Sequence, residues 1–143
     1  RPYTLAWAEL PLPQWVQWLG VVLGGISIPL LVWTQLALGS NFSPTLHVRQ
    51  EHTLVTSGPY RTVRHPMYTA LFLSLSAILL LSRNWLVGGI PLIGLSVILL
   101  MRLPREERSM IEKFGDAYRE YMKRTGRFLP RMIHPMGAKP YGQ

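Results

Sequence analysis

Cysteine is absent from the 143 residues, which removes disulfides, thiolate metal sites and a cysteine nucleophile. Charge is scarce as well, at 15% of residues against roughly 25% in soluble domains. No G-x-G-x-x-G follows a strand and no strand–helix alternation exists, so a Rossmann-type nucleotide domain is excluded. His47, His52 and His65 have no H-x-x-x-H spacing among them, and Glu51 completes no ligand pattern. A zinc site is therefore not expected, and no serine nucleophile with a base is signalled. Residues 1–13 lack the basic stretch, apolar run and small-residue cleavage site of a signal peptide. The chain starts at Arg1, and a fragment or a processed chain is the expectation.

Apolar residues make up 48% of the chain, and they are concentrated in blocks rather than spread at a surface-helix period. The first block, Trp15–Leu38, contains no charged residue. Its length in a helix is ~36 Å, enough to cross a ~30 Å hydrocarbon core. The second block covers residues 67–81 and the third 85–101, separated only by Ser82-Arg83-Asn84. So short a polar break between long apolar runs predicts a tight helical hairpin. Each arm is at the low end for a span, so both are expected to be partly sheathed by other helices or to pull polar flanks toward the core. Gly24, Gly25 and Pro29 in the first block, and Gly88, Gly89, Pro91 and Gly94 in the third, are read as membrane packing devices.

Two polar segments remain, 39–66 and 102–143. Three crossings put both on one side of the bilayer, opposite Arg83 and the N-terminus. They hold 13 of the 15 Lys and Arg residues, all but Arg1 and Arg83. The positive-inside rule then makes both cytoplasmic. The net charge of +8 is thus read as membrane topology rather than nucleic-acid binding. From Pro104 a helix is predicted to about Thr125, with Pro104 in its first turn and Glu106 and Glu107 where the helix dipole favours negative charge. Ile111, Phe114, Tyr118, Tyr121 and Met122 form its apolar stripe, and Gly126 ends it. The stripe suits covering an active site and lying against headgroups equally well. The fold class is all-α: an integral membrane bundle of one span plus a tight hairpin, followed by a cytoplasmic amphipathic helix.

The chemistry-bearing residues converge on that one face. Ser57-Gly58-Pro59-Tyr60 signals a turn. Pro66 fits the first turn of the second membrane helix, which puts Arg64 and His65 at its N-terminal mouth, where backbone N–H groups can meet an anion. Ionisable groups so near apolar spans are costly and usually have a reason. Each residue alone also has a plain reading: headgroup anchoring for Arg64 and His65, charge balance with Arg102, Arg105 and Arg108 for the Glu pair.

Taken in order, H-x-L-V-x-x-G-x-Y (His52 to Tyr60), R-H-P-x-Y (Arg64 to Tyr68), an apolar hairpin, Glu106-Glu107, Phe114-Gly115-Asp116 and Gly126-Arg127-Phe128-Leu129-Pro130 resemble the isoprenylcysteine carboxyl methyltransferase family. The resemblance covers residues 36 to 130. It implies one membrane methyltransferase core, with further membrane helices upstream of the region seen here. It also implies S-adenosyl-L-methionine as cofactor, surrounded by His52, Thr53, Leu54, Val55, Tyr60, Arg64, His65, Pro66, Met67 and Tyr68, with His47 a weaker carry-over. Glu106 would pair with the cofactor's ammonium, and Arg102 would face the acceptor. Those two share a helix face only if the helix continues through Pro104.

What the resemblance implies is carboxyl O-methylation of a lipophilic, isoprenylcysteine-like or prenylated acceptor entering from the bilayer. A carboxylate acceptor needs no general base, and an Arg opposite the methyl suits it while repelling an ammonium. A phospholipid amine N-methyltransferase is the alternative, since those enzymes carry a related motif set. A nicotinamide-dependent sterol reductase is a further one, although there R-H-P is followed by Asn-Tyr and here by Met67-Tyr68. A non-catalytic membrane adaptor, binding no cofactor, is the last.

Overall fold

The structure is a computed structural model that describes residues 3–39 and 53–131. His47 and His52 lie outside the described residues. A 3-10 turn, Tyr3–Ala8, precedes helix α1, Trp15–Leu38. A second 3-10 turn, Gly58–Arg61, leads to α2, Pro66–Ser82. A π-helical turn, Trp85–Gly89, runs directly into α3, Ile90–Phe114, and α4 follows at Asp116–Arg124. No strand occurs among the described residues; two isolated bridges, Glu9 with Asn84 and Val63 with Gly126, hold the two ends.

Polarity in α1 is distributed as lipid demands. Its buried positions are Val16, Gly20, Ser27 and Thr34, whereas Trp15, Trp18, Val22, Ile28, Trp33 and Leu36 are exposed. Ser27 and Thr34 return their hydroxyls to the carbonyls of Gly24 and Leu31, at 3.0 and 2.7 Å. Small residues facing inward and large apolar ones outward is the reverse of a soluble helix, and it allows close approach in a bilayer. That inward face packs chiefly on α2. Together with two apolar helices long enough to cross a membrane, this makes the chain an all-helical integral membrane protein. The shorter α2 reaches ~26 Å.

The hairpin forms where Ser82-Arg83-Asn84 predicts it. Arg83 takes the left-handed conformation, φ 49°, and Asn84 caps the returning helix by accepting from Leu86 N and Val87 N at 2.9 and 3.2 Å. Its Nδ2 donates to Leu5 O at 3.2 Å, and Leu10 N donates to Arg83 O at 2.6 Å. The N-terminal turn and the hairpin tip therefore share one end of the bundle. Gly88 lets the arms meet, because a Cβ there would lie 2.2 Å from Leu79 Cα. Gly24 faces Ala77 in ordinary contact, whereas Gly25 and Gly94 meet nothing within 4 Å. Gly88 and Gly24 thus pack against the neighbouring helix, as expected.

Downstream the structure departs from the sequence reading. Pro104 lies inside α3 rather than opening a new helix. Its missing N–H costs one rung of the ladder, which a long helix anchored on both sides tolerates. The predicted amphipathic helix is instead split at Gly115, φ 55°: its first half extends α3, and its second half is the separate α4. The arginine-rich end of α3, the α4 helix and the 53–65 segment gather at the end opposite the hairpin tip.

Candidate active site

Backbone pairing builds the frame. Arg64 N donates to Gly126 O at 2.8 Å, His65 N to Arg127 O at 3.1 Å, and Gly126 N to Thr62 O at 3.0 Å. Segment 62–65 is thereby stitched to the residues after α4. Only glycine fits at 126, since a Cβ there would lie 1.8 Å from Leu129 O. Tyr121, buried on α4, donates its hydroxyl to Tyr60 O at 2.6 Å. Burial pushes its phenol up to about 12, and burial raises Tyr60 and Tyr118 above the ordinary 10 as well. All three stay protonated donors.

Glu107 is the electrostatic centre. The uncharged run of α3 ends at Met101, and Glu107 lies beyond it with its side chain only 7% exposed. Its carboxylate accepts from Arg64 Nε at 3.2 Å, from Arg127 Nε at 3.2 Å and from a second Arg127 nitrogen. His65 Nε2 lies 3.4 Å from Oε1. The hydrogen bond to His65, with Arg127 beside it, outweighs burial and holds the carboxyl down at about 2. A buried carboxylate is tolerable only with such a complete set of donors. Arg64 also donates Nη1 to the carbonyls of Met122 and Thr125, at 2.9 and 2.6 Å, tying down the last turn of α4. Thus two of its nitrogens are committed to protein acceptors.

Glu106, one residue earlier, points elsewhere. Tyr68 donates its hydroxyl to Glu106 Oε2 at 2.9 Å, and Tyr60 lies close enough to feel the same carboxylate. His65 stacks on Tyr68 with ring centroids 5.7 Å apart. Because α3 is unbroken, Arg102 stands one turn before Glu106 on the same face, next to Tyr68. Its Nε is buried with no acceptor among the described residues. Towards the bilayer, Tyr68, Leu99 and Leu103 form an apolar cluster joined by Met67, Leu71 and Leu95.

Of the residues singled out from sequence, the fold brings together Tyr60, Arg64, His65, Pro66, Met67, Tyr68, Arg102 and Glu106. Leu54 and Val55 are half-buried and Thr53 is exposed in the irregular run before the Gly58–Arg61 turn. Sequence reasoning carried Glu107 and Arg127 as members of the motif series, Tyr121 as part of an apolar stripe and Thr125 as a helix end, and gave none of them a role in the site. The available signal was Gly126-Arg127 closing the motif series, whose pairing partner in sequence lies some sixty residues upstream.

The family model described as the isoprenylcysteine carboxyl methyltransferase family matches residues 18–112. The chain belongs to this family. It is 32% identical over 137 residues to a human protein-S-isoprenylcysteine O-methyltransferase, covering 87% of this chain and 44% of that protein. The chain thus spans less than half the length of that family member. It is also 30% identical over 80 residues to a methanethiol S-methyltransferase of Pseudomonas deceptionensis, covering 56% of this chain and 29% of that one. The solved structure of a eukaryotic intramembrane Ras methyltransferase of the same family superposes with a TM-score of 0.71 at 25% identity, over 81% of this chain and 42% of the other.

Proposed function

We propose that the chain carries the methyl-transfer core of an S-adenosyl-L-methionine-dependent enzyme that methylates the carboxylate of a lipophilic, isoprenylcysteine-like acceptor at the cytoplasmic face of a membrane. The observation that carries this reading is the continuous α3 helix, which sets Arg102 and Glu106 on one face with Tyr68 beside both. The residues present fit the cofactor: Glu106, half-buried, offers a carboxylate to an ammonium beside the Tyr68 hydroxyl, and the buried rings of Tyr60 and Tyr68 surround that end with the half-buried His65. When bound, the cofactor supplies a methyl group activated by a sulfonium centre.

Each side chain then has a definite task. Glu106 and the Tyr68 hydroxyl hold the donor's polar end. Arg102, with a buried nitrogen that has no acceptor among the described residues, orients the acceptor carboxylate by a charge-assisted bond. The apolar cluster of Leu99, Leu103 and Leu71 excludes water from the nucleophile and receives an alkyl chain, which strengthens every charge interaction inside. Holding both reactants in register supplies ~7–11 kcal/mol of the barrier. No general base is required, because the carboxylate is already ionised. An ammonium acceptor would meet Arg102 as a like charge.

The relatives' names span two acceptors, an isoprenylcysteine and a thiol, so the acceptor is the point to test. Protein in nanodiscs is incubated with methyl-labelled cofactor and a prenylcysteine analogue, a phospholipid amine or a thiol. Label appearing as a base-labile methyl ester, lost in Arg102→Ala with cofactor affinity kept, is the expected result. Label on the amine or the thiol would overturn the acceptor assignment. Absence of cofactor binding would overturn the enzyme reading itself.

A further inference from the structure

Beside Tyr121 and Thr125 lies a cavity of about 570 Å³ that shares no residue with the Arg102–Tyr68–Glu106 set. Arg61, Arg124 and Arg131 line it, with Thr56, Thr62 and Thr125 between them. Among the described residues its lining contains no carboxylate. Arg61 and Arg124 are exposed and form no ion pair among the described residues, whereas the nearby Lys123 is already paired with Glu120 at 2.6 Å. Arg131 is folded back over α4, donating Nη1 to Lys123 O at 3.0 Å, so its guanidinium is held towards the others.

Three exposed guanidinium groups around one concavity give a local excess of positive charge, partly screened by water, that an anion would offset. Guanidinium groups offer paired N–H donors that match a phosphate's oxygens, and threonine hydroxyls add neutral donors. The volume falls within the range of small-molecule sites, ~300–1,000 Å³. The cavity opens at the polar end of the bundle, where the helices leave the bilayer. We infer that this cavity binds a phosphate group, carried either by an anionic lipid headgroup or by a free soluble phosphate. The assignment stands on these residues alone and is independent of the methyl-transfer reading.

Purified full chain in neutral detergent is titrated with dihexanoyl phosphatidylglycerol, with inorganic phosphate and with phosphate-free dihexanoylglycerol, and binding is read by the shift in thermal transition. Saturable stabilisation by the phospholipid or by phosphate, but not by dihexanoylglycerol, is expected. Affinity should fall at least tenfold in Arg61→Gln/Arg124→Gln and by an intermediate factor in Arg124→Gln alone. Arg105→Gln/Arg108→Gln, which removes two exposed arginines outside the cavity, should bind as the parent does. Circular dichroism checks that each variant retains its helices. Stronger binding of phosphatidylglycerol than phosphate identifies the lipid as the source, and equal binding identifies the free anion. No saturable binding, or equal loss in both double variants, overturns the inference in favour of diffuse surface charge.

Discussion

Two adjacent carboxylates divide the labour at the polar end of α3. Glu106 is half-buried and, in contrast to Glu107, accepts from a neutral donor, the Tyr68 hydroxyl. Replacing it with Ala is expected to weaken S-adenosylmethionine binding by about 1.5–3 kcal/mol, the value of a charge-assisted bond, as measured by calorimetry in detergent. Glu107 is buried and saturated by Arg64, Arg127 and His65. Glu107→Ala would leave the Arg64 cation stranded at 10% exposure, and is expected to cost on the order of 3–5 kcal/mol of stability. Its pH dependence has a definite sign. The folded carboxyl sits at about 2, below its ordinary 4.5, so its stabilisation is complete above 4.5 and is lost as pH falls towards 2. Thermal melts across that window should show a steep loss for the parent and a shallower one for Glu107→Gln.

Among the elements, the junction of segment 62–65 with residues 126–127 holds the site together. Gly126→Ala would drive a Cβ into Leu129 O. It is expected to displace Arg127 from Glu107 and to destabilise by about 1–3 kcal/mol or more. Hydrogen exchange would read this as lost protection at Arg64 N and His65 N, which donate to Gly126 and Arg127. Unchanged exchange there would mean the pairing is incidental. The continuity of α3 through Pro104 matters equally, because a break would rotate Arg102 away from Glu106. Local pattern favoured a new helix start at that proline, since a proline in a first turn costs nothing. The long helix persists because apolar packing against α2 on one side and the Glu107 cluster on the other outweigh one missing hydrogen bond.

For the molecule as a whole, the arrangement requires the 53–65 segment and the α3–α4 end to lie on one side of the bilayer. The absence of cysteine makes this straightforward to test, as any introduced cysteine is unique. Thr56→Cys and Glu112→Cys, both exposed, should react with an impermeant maleimide from the same side, and Glu9→Cys, beside the hairpin tip, from the other. Reaction of the first two from opposite sides would dismantle the shared site. The helical class, the hairpin and the one-sided basic charge were legible because each is a local or compositional property: apolar run length, a polar break, a count of arginines. Motif order singled out Tyr60, His65, Tyr68 and Glu106, which the fold then places side by side.

Hydrophobic run length and charge placement alone therefore determined that this chain is a helical membrane protein with its polar chemistry gathered at one end, because lipid admits so few ways to satisfy a backbone. Tertiary structure alone decided that Glu107 anchors the cluster while Glu106 turns to Tyr68, that α3 passes through Pro104, and that Arg127 closes onto Glu107. Those outcomes depend on which donors reach a buried carboxylate across some forty residues of intervening chain, and no local spacing encodes that distance.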